Sequence, residues 1–261
     1  QKTAYDIRLS LVGSEMCIRD SFFAYLLPCV GICDLVLLDA PDFNHGMGLT
    51  IHVRTKPRYA YSYIESATLK IGDDVLEVGA WGQYMLNGVS HADLPETMSS
   101  AGFPITYKEK KEMFHAFNVV LSRTESIELS SFKDMVHVKV SNASFANFGS
   151  SVGMMGNFAD GRLMARDGIT VINDHNKFGQ EWQILESEPN LFMTPSPHRG
   201  AECVPPTVTD KDRRRLGEAT IKKAAAEQAC AHHKDAEMKD FCVFDVLAMD
   251  DLEVANAHGA F

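Results

Sequence analysis

The sequence lacks the patterns that mark several common classes of protein. No apolar run reaches the roughly 18 residues that cross a bilayer, so we predict no membrane span. The formal charge of -10 argues against a nucleic-acid binder, because attraction to phosphates needs a concentrated basic face. None of the six cysteines forms a CxxC pair, which argues against a zinc site.

Familiar catalytic motifs are also missing. The sequence has no HExxH, P-loop or GxGxxG motif. His52 and His137 fall on the polar faces of predicted strands, so we assign neither of them a catalytic role. We therefore predict that the chain is not an enzyme.

What the sequence does contain is a long region with a period of two. Leu49, Ile51 and Val53 alternate with polar residues, and Val136, Val138 and Val140 do the same further along. Short strands of this kind recur every 8 to 12 residues or so, with turn signals between them. The further strands that we predict are Leu35–Leu38, Tyr63–Ile71, Val75–Val78, Trp81–Leu86, Phe114–Leu121 and Ser126–Phe132. This pattern predicts a mainly β fold, an antiparallel β-sandwich or barrel-like sheet.

The two ends of the chain differ from this body. Residues 1–30 resemble a foreign or non-native leader with an edge strand, which we place at Phe22 to Val30. Residues 31–185 form the β domain, 186–208 a proline-rich linker, and 209–261 a helical segment. Good helix formers predict two C-terminal helices, a helical hairpin that a Cys230–Cys242 disulfide would join.

A loop rich in glycine, asparagine and aspartate occupies the end of the β domain. It runs from Ser151 to Gly161, continues through Asp167-Gly168, and leads into Asn176–Ile184. Two small hydrophobic strands are implied, joined by this loop. Asn157 and Asp160 offer side-chain oxygens that could bind calcium or simply close a turn through backbone amides.

Three sub-motifs in this region resemble the von Willebrand factor type D domain. They are Gly153-Met-Met-Gly-Asn-Phe158, Asp167-Gly168, and Asn176-Lys-Phe-Gly-Gln-Glu-Trp182, in the family's order. Gly31-Ile-Cys33 and the strand after it resemble an earlier family element. The family's opening strand is not visible, Met155 stands where many members have cysteine, and the acidic loop is short.

The resemblance implies a non-enzymatic, extracellular adhesion, matrix or assembly module that binds other extracellular or matrix proteins. It leaves two alternatives: a calcium-dependent binding module, or a lipid-associated domain as in large lipid-carrier proteins. Because Met155 replaces its usual partner, Cys33 would pair elsewhere, with Cys203 as one candidate, or stay free. Asn142-Ala-Ser144 is the sole glycosylation sequon.

Overall fold

The chain is described from a computed structural model that covers residues 5–9, 33–58, 61–90, 97–110, 113–158, 161–195, 221–234 and 236–258. Within these ranges it forms two antiparallel sheets of six strands each, with a few short helices. The predicted mainly β, antiparallel fold is therefore confirmed.

The strands are β1 (Tyr5–Leu9), β2 (Asp34–Ala40), β3 (Leu49–Arg58), β4 (Tyr61–Ile71), β5 (Asp74–Val78), β6 (Tyr84–Leu86), β7 (Val89–Ser90), β8 (Met98–Ser100), β9 (Phe103–Lys110), β10 (Phe114–Val120), β11 (Ser126–Phe132) and β12 (Met135–Ala143). The first sheet has the order β1-β12-β11-β10-β9-β8, and the second has the order β2-β3-β4-β5-β6-β7. Apart from the β1–β12 pair, neighbours within each sheet are consecutive along the chain, as in simple meanders.

Alternation along the strands builds one shared hydrophobic core. In the second sheet Ile51 is paired with Leu69, which is paired with Leu76, and all three are fully buried. In the first sheet Leu129 is paired with Val138 in the same core cluster. Each such side chain contributes about 1.5–3 kcal/mol by leaving water, so the facing sheets hold each other in place.

The helices are mostly short, and the first three each bury one phenylalanine in this core: Phe43, Phe148 and Phe178. The helices are α1 (Phe43–Gly46), α2 (Phe145–Phe148), α3 (His175–Glu181), α4 (Lys223–Ala229), α5 (Ala236–Met249) and α6 (Glu253–His258). None of the helices in the described ranges is long and apolar enough to cross a membrane.

The C-terminal helices form a second, smaller core. They pack on Phe132 and Met135, on the face of β11 and β12 opposite to the sandwich interior, and on Tyr63 of β4. The predicted Cys230–Cys242 disulfide is present and connects the end of α4 to α5. It spans a sequence separation of 12 residues, and a loop of this size contributes on the order of 3 kcal/mol.

Several local predictions differ from the structure. The strand predicted from Trp81 begins only at Tyr84, because Trp81 has a left-handed backbone (φ 56°) inside a 3₁₀ turn. Two strands were implied between residues 151 and 184. The structure has helix α3 there, with isolated bridges before it at Val152 and between Met164 and Val171, and after it at Gln183. Strands β1, β7, β8 and β9 were not predicted. The predicted strand at 22–30 and residues 196–220 lie outside the described ranges.

Candidate functional site

The glycine-rich segment singled out in the sequence covers the free edge of β2. Backbone hydrogen bonds join Asp39 with Val152 in both directions, at 2.8 and 2.9 Å. The N–H groups of Met154 and Met155 donate to the carbonyls of Val36 and Leu37 at 3.1 and 3.0 Å. An uncovered strand edge can pair with a strand of another chain. The segment covers the edge of β2 and prevents such pairing, and we call it the edge seal.

A second segment completes the seal on the same strand. The Val36 N–H donates to the Trp182 carbonyl, and the Ile184 N–H donates to the Asp34 carbonyl, both at 2.9 Å. Helix α3 positions Trp182, whose ring is buried. The Trp182 indole Nε1 donates to the Met164 carbonyl at 3.1 Å, which ties the loop to the seal.

Arg166 fastens the loop between these two segments. Its guanidinium donates to the carbonyls of Glu181 and Gln183, at 2.6 and 2.8 Å, next to the C-terminal end of α3. It also lies 5.2 Å over the Trp182 ring and forms an ion pair with Glu188. A cation at carbonyls of a helix end is favourable, so this arginine organises the loop.

The candidate calcium ligands are only partly described. The Asn157 backbone closes a tight loop, since its N–H donates to the Arg162 carbonyl (2.9 Å) and its carbonyl accepts from the Gly161 N–H (2.7 Å). Asp160 lies outside the described residues. In the described part of the chain, no group of three or more His, Cys, Asp or Glu side chains is arranged to hold a metal ion. Calcium binding at Asn157 and Asp160 stays a prediction, for which calorimetric titration is the direct test.

Asp167 has a local structural role. Its carboxylate accepts from the N–H groups of Ile169 and Thr170, both at 2.8 Å, and from the Thr170 hydroxyl at 2.6 Å. These bonds lower the pKa of Asp167, the Thr170 hydroxyl bond having the largest effect. Asp167 thus closes a turn.

A buried polar layer covers the outer face of the second sheet, and the sequence did not predict it. Strand register places its members in two rows, Asp34–Arg54–Ser66 and His52–Thr68–Glu77. All six residues are buried. The prediction that His52 lies on a polar face is correct, but that face is not open to solvent. His137 on β12 is likewise buried.

The centre of this layer is an ion pair between neighbouring strands. The Arg54 Nε and Nη2 atoms donate to the two Asp34 carboxylate oxygens, at 2.7 and 3.0 Å. The two side chains are only 9% and 3% exposed. Two parallel bonds of this kind fix the orientation of both groups, which is why an arginine rather than a lysine suits the position.

A strap formed by Asn190–Thr194 lies over the layer. The Thr194 hydroxyl and the Met193 N–H donate to the two Glu77 oxygens at 2.6 and 2.7 Å. The Asn190 amide donates to Asp34 at 2.8 Å. Arg54 returns hydrogen bonds to the Thr194 carbonyl and hydroxyl, both at 3.1 Å. Part of the predicted proline-rich linker is therefore fastened to the sheet by directional polar contacts.

The same strap also contacts His52. The Leu191 N–H points at the His52 Nδ1 at 3.4 Å. Burial lowers the pKa of His52 to about 4, and nearby Asp34 opposes this only in part. The imidazole is therefore neutral at physiological pH and serves as an acceptor for the strap.

The remaining predicted residues lie elsewhere. Cys33 is disulfide-bonded. Its partner and Cys203 lie outside the described residues, so the Cys33–Cys203 pairing stays a prediction. Asn142 is exposed at the end of β12, and its side-chain amide donates to the Thr124 carbonyl at 3.1 Å. Ser144, the third residue of the sequon, caps α2 by accepting from the Asn147 N–H.

Comparison of the chain with protein-family models and with curated proteins finds no match. The fold and the site therefore define the protein only as a disulfide-containing, mainly β chain with a strapped polar layer.

Proposed function

We propose that this chain is a non-enzymatic extracellular module for adhesion, matrix binding or assembly, of the von Willebrand factor type D kind. The observation that carries the proposal is its disulfide bonding. Cys230 and Cys242 form one bridge, and Cys33 belongs to another. Such bridges form and persist in oxidising compartments, which favours secretion.

The polar layer supports a non-catalytic role. Asp34, Arg54 and Glu77 direct their hydrogen-bonding groups at one another and at the strap. A general acid or base must be within hydrogen-bonding reach of a substrate, and these three groups are already engaged with the protein's own chain. Their arrangement is suited to fastening a segment.

Trp81 is our candidate for a partner contact. It is 55% exposed and has a left-handed backbone, which is unfavourable for a bulky side chain. The turn is held in this conformation because the Trp81 N–H donates to the Lys133 carbonyl (2.6 Å) and the Gly82 N–H donates to the Ser131 hydroxyl (2.8 Å). Strained, exposed aromatic residues are frequent at binding surfaces.

Secretory expression tests the compartment. We expect the chain, fused to a signal peptide and expressed in mammalian cells, to be secreted with all cysteines oxidised and a glycan on exposed Asn142. Mass spectrometry after thiol alkylation, with and without glycosidase treatment, measures both. Asn142→Gln should lose the glycan alone. Retention in the cell with alkylatable thiols would contradict the proposal.

Matrix binding tests the function itself. We expect the secreted chain to bind at least one of immobilised collagen, laminin and fibronectin in surface plasmon resonance. Truncation of an aromatic hot-spot residue costs about 2 kcal/mol or more, so Trp81→Ala should weaken that binding by about 30-fold or more. Leu252→Ala, which truncates another exposed apolar residue, is the matched control and should bind normally. Absence of binding to all three proteins would argue against a matrix role.

A further inference from the structure

The strap residues Asn190–Thr194 are attached to the sheet through hydrogen bonds to groups that can change charge. Glu77 accepts two bonds from the strap, Asp34 accepts one, and His52 Nδ1 accepts one. The Phe192 ring adds an apolar cover, 4.2 Å from the Arg54 guanidinium carbon. The attachment of the strap to the sheet therefore depends on the protonation state of the acceptor groups in the polar layer.

His52 is the member of the layer that protonation would affect most directly. A neutral Nδ1 accepts the Leu191 N–H, whereas a protonated Nδ1 would face that donor with a second donor. Three cations would repel the new charge. They are Arg54 on the same strand, Lys70 on β4, and Arg166 in the loop. The carboxylates on the same face include Asp34 and Asp39 on β2 and Glu77 on β5.

We propose that Asn190–Thr194 is an acid-released strap, which detaches from the outer face of the second sheet when His52 takes up a proton while the sandwich stays folded. Release would uncover the two polar rows, including the buried Ser66 and Thr68 hydroxyls, for which the described residues provide no hydrogen-bond partner under the closed strap. This inference does not depend on the proposed extracellular function.

The direction and size of the effect follow from proton linkage. Under the strap the pKa of His52 is about 4, against 6.5 for the free side chain. The closed state is therefore favoured above pH 6.5 and loses stability as the pH falls towards 4. If the open state exposes His52 fully, the ratio of open to closed strap rises on the order of 70-fold between about pH 7.5 and about pH 4.5.

Hydrogen exchange on the full chain tests this proposal. The reporters are the amides of Leu191 and Met193, which donate to His52 and Glu77 on the sheet. After correction for intrinsic exchange, we expect the protection of the strap amides to fall on the order of 70-fold between about pH 7.5 and about pH 4.5. The amides of β11 and β12 should keep their protection. Unchanged protection in the strap, or equal loss in the strap and in β11–β12, would overturn the proposal.

Two substitutions identify the residue responsible. His52→Gln retains an acceptor oxygen but cannot titrate, so the acid-dependent loss should shrink to a few-fold. His137→Gln is the matched control, because it replaces a buried histidine of the other sheet, and its strap should respond as in the parent chain. An undiminished response in His52→Gln would assign release to another group and refute the role of His52. If His52→Gln does not fold, His52→Asn provides the same comparison.

Discussion

Gly153→Ala is expected to destabilise the protein by about 3–5 kcal/mol, among the largest effects of any single methyl group in the chain. A Cβ atom at this position would lie 2.6 Å from the Leu37 carbonyl oxygen and 3.0 Å from the Leu38 Cα. Both are backbone atoms of β2, so no side chain can rotate away. The φ of +124° is also one that L-residues rarely adopt. Urea denaturation measures the free energy of unfolding. In thermal denaturation we expect Tm to fall by about 10 °C.

Gly168→Ala separates the two causes. Gly168 also has a positive φ, +69°, but no atom of the described residues lies within 4 Å of its added Cβ. It should therefore cost only the backbone strain, about 1 kcal/mol. If Gly153→Ala lowers the free energy of unfolding by no more than Gly168→Ala does, Gly153 is not in close contact with β2. The interpretation of this segment as an edge seal would then be wrong.

The strands were predictable where one face of a sheet is buried and the other is polar. Ser126–Phe132 has the predicted bounds, because its alternation alone identifies the face that packs inward. Phe103, Ile105 and Tyr107 on β9 carry the same alternation, and this signal was missed. Pro104 and the charges after Tyr107 weaken the pattern, since proline is uncommon within strands.

The polar layer was not predictable from local pattern. The alternation of β3 correctly directs His52 and Arg54 away from the core, and a solvent-facing side is then the natural expectation. The strap that buries them is far along the chain: Leu191 is 139 residues from His52, and Thr194 is 140 residues from Arg54. Periodicity reports which face a residue is on, but not whether another segment lies over that face.

The glycine-rich motif shows a similar division. Glycine tolerates positive φ, and all four glycines of this kind in the motif have it: Gly153, Gly156, Gly161 and Gly168. It could not identify what the turns were for, because the contacts of Gly153 are with β2, more than a hundred residues earlier. The motif's structural role at the edge of β2 requires no bound ion.

Removing one partner of the Asp34–Arg54 pair should be as costly as the glycine substitution. Asp34→Asn leaves a buried arginine without its counter-ion, and Arg54→Met leaves a buried carboxylate without its own. Either change should lower the free energy of unfolding by about 3–5 kcal/mol, because an uncompensated charge stays in a poorly solvated place. Urea denaturation near neutral pH is the measurement.

A double-mutant cycle shows whether the pair acts as a unit. In Asp34→Asn/Arg54→Met no charge of the pair is left, so the loss should be well below the sum of the single changes, by about 1–3 kcal/mol. The exposed pair Lys56–Glu65, 3.7 Å apart with side chains 59% and 42% exposed, is the matched control. Lys56→Met should cost less than about 1 kcal/mol, since water screens that pair. If the losses in free energy of unfolding are additive, Asp34 and Arg54 stabilise the protein independently, and not through the ion pair between them.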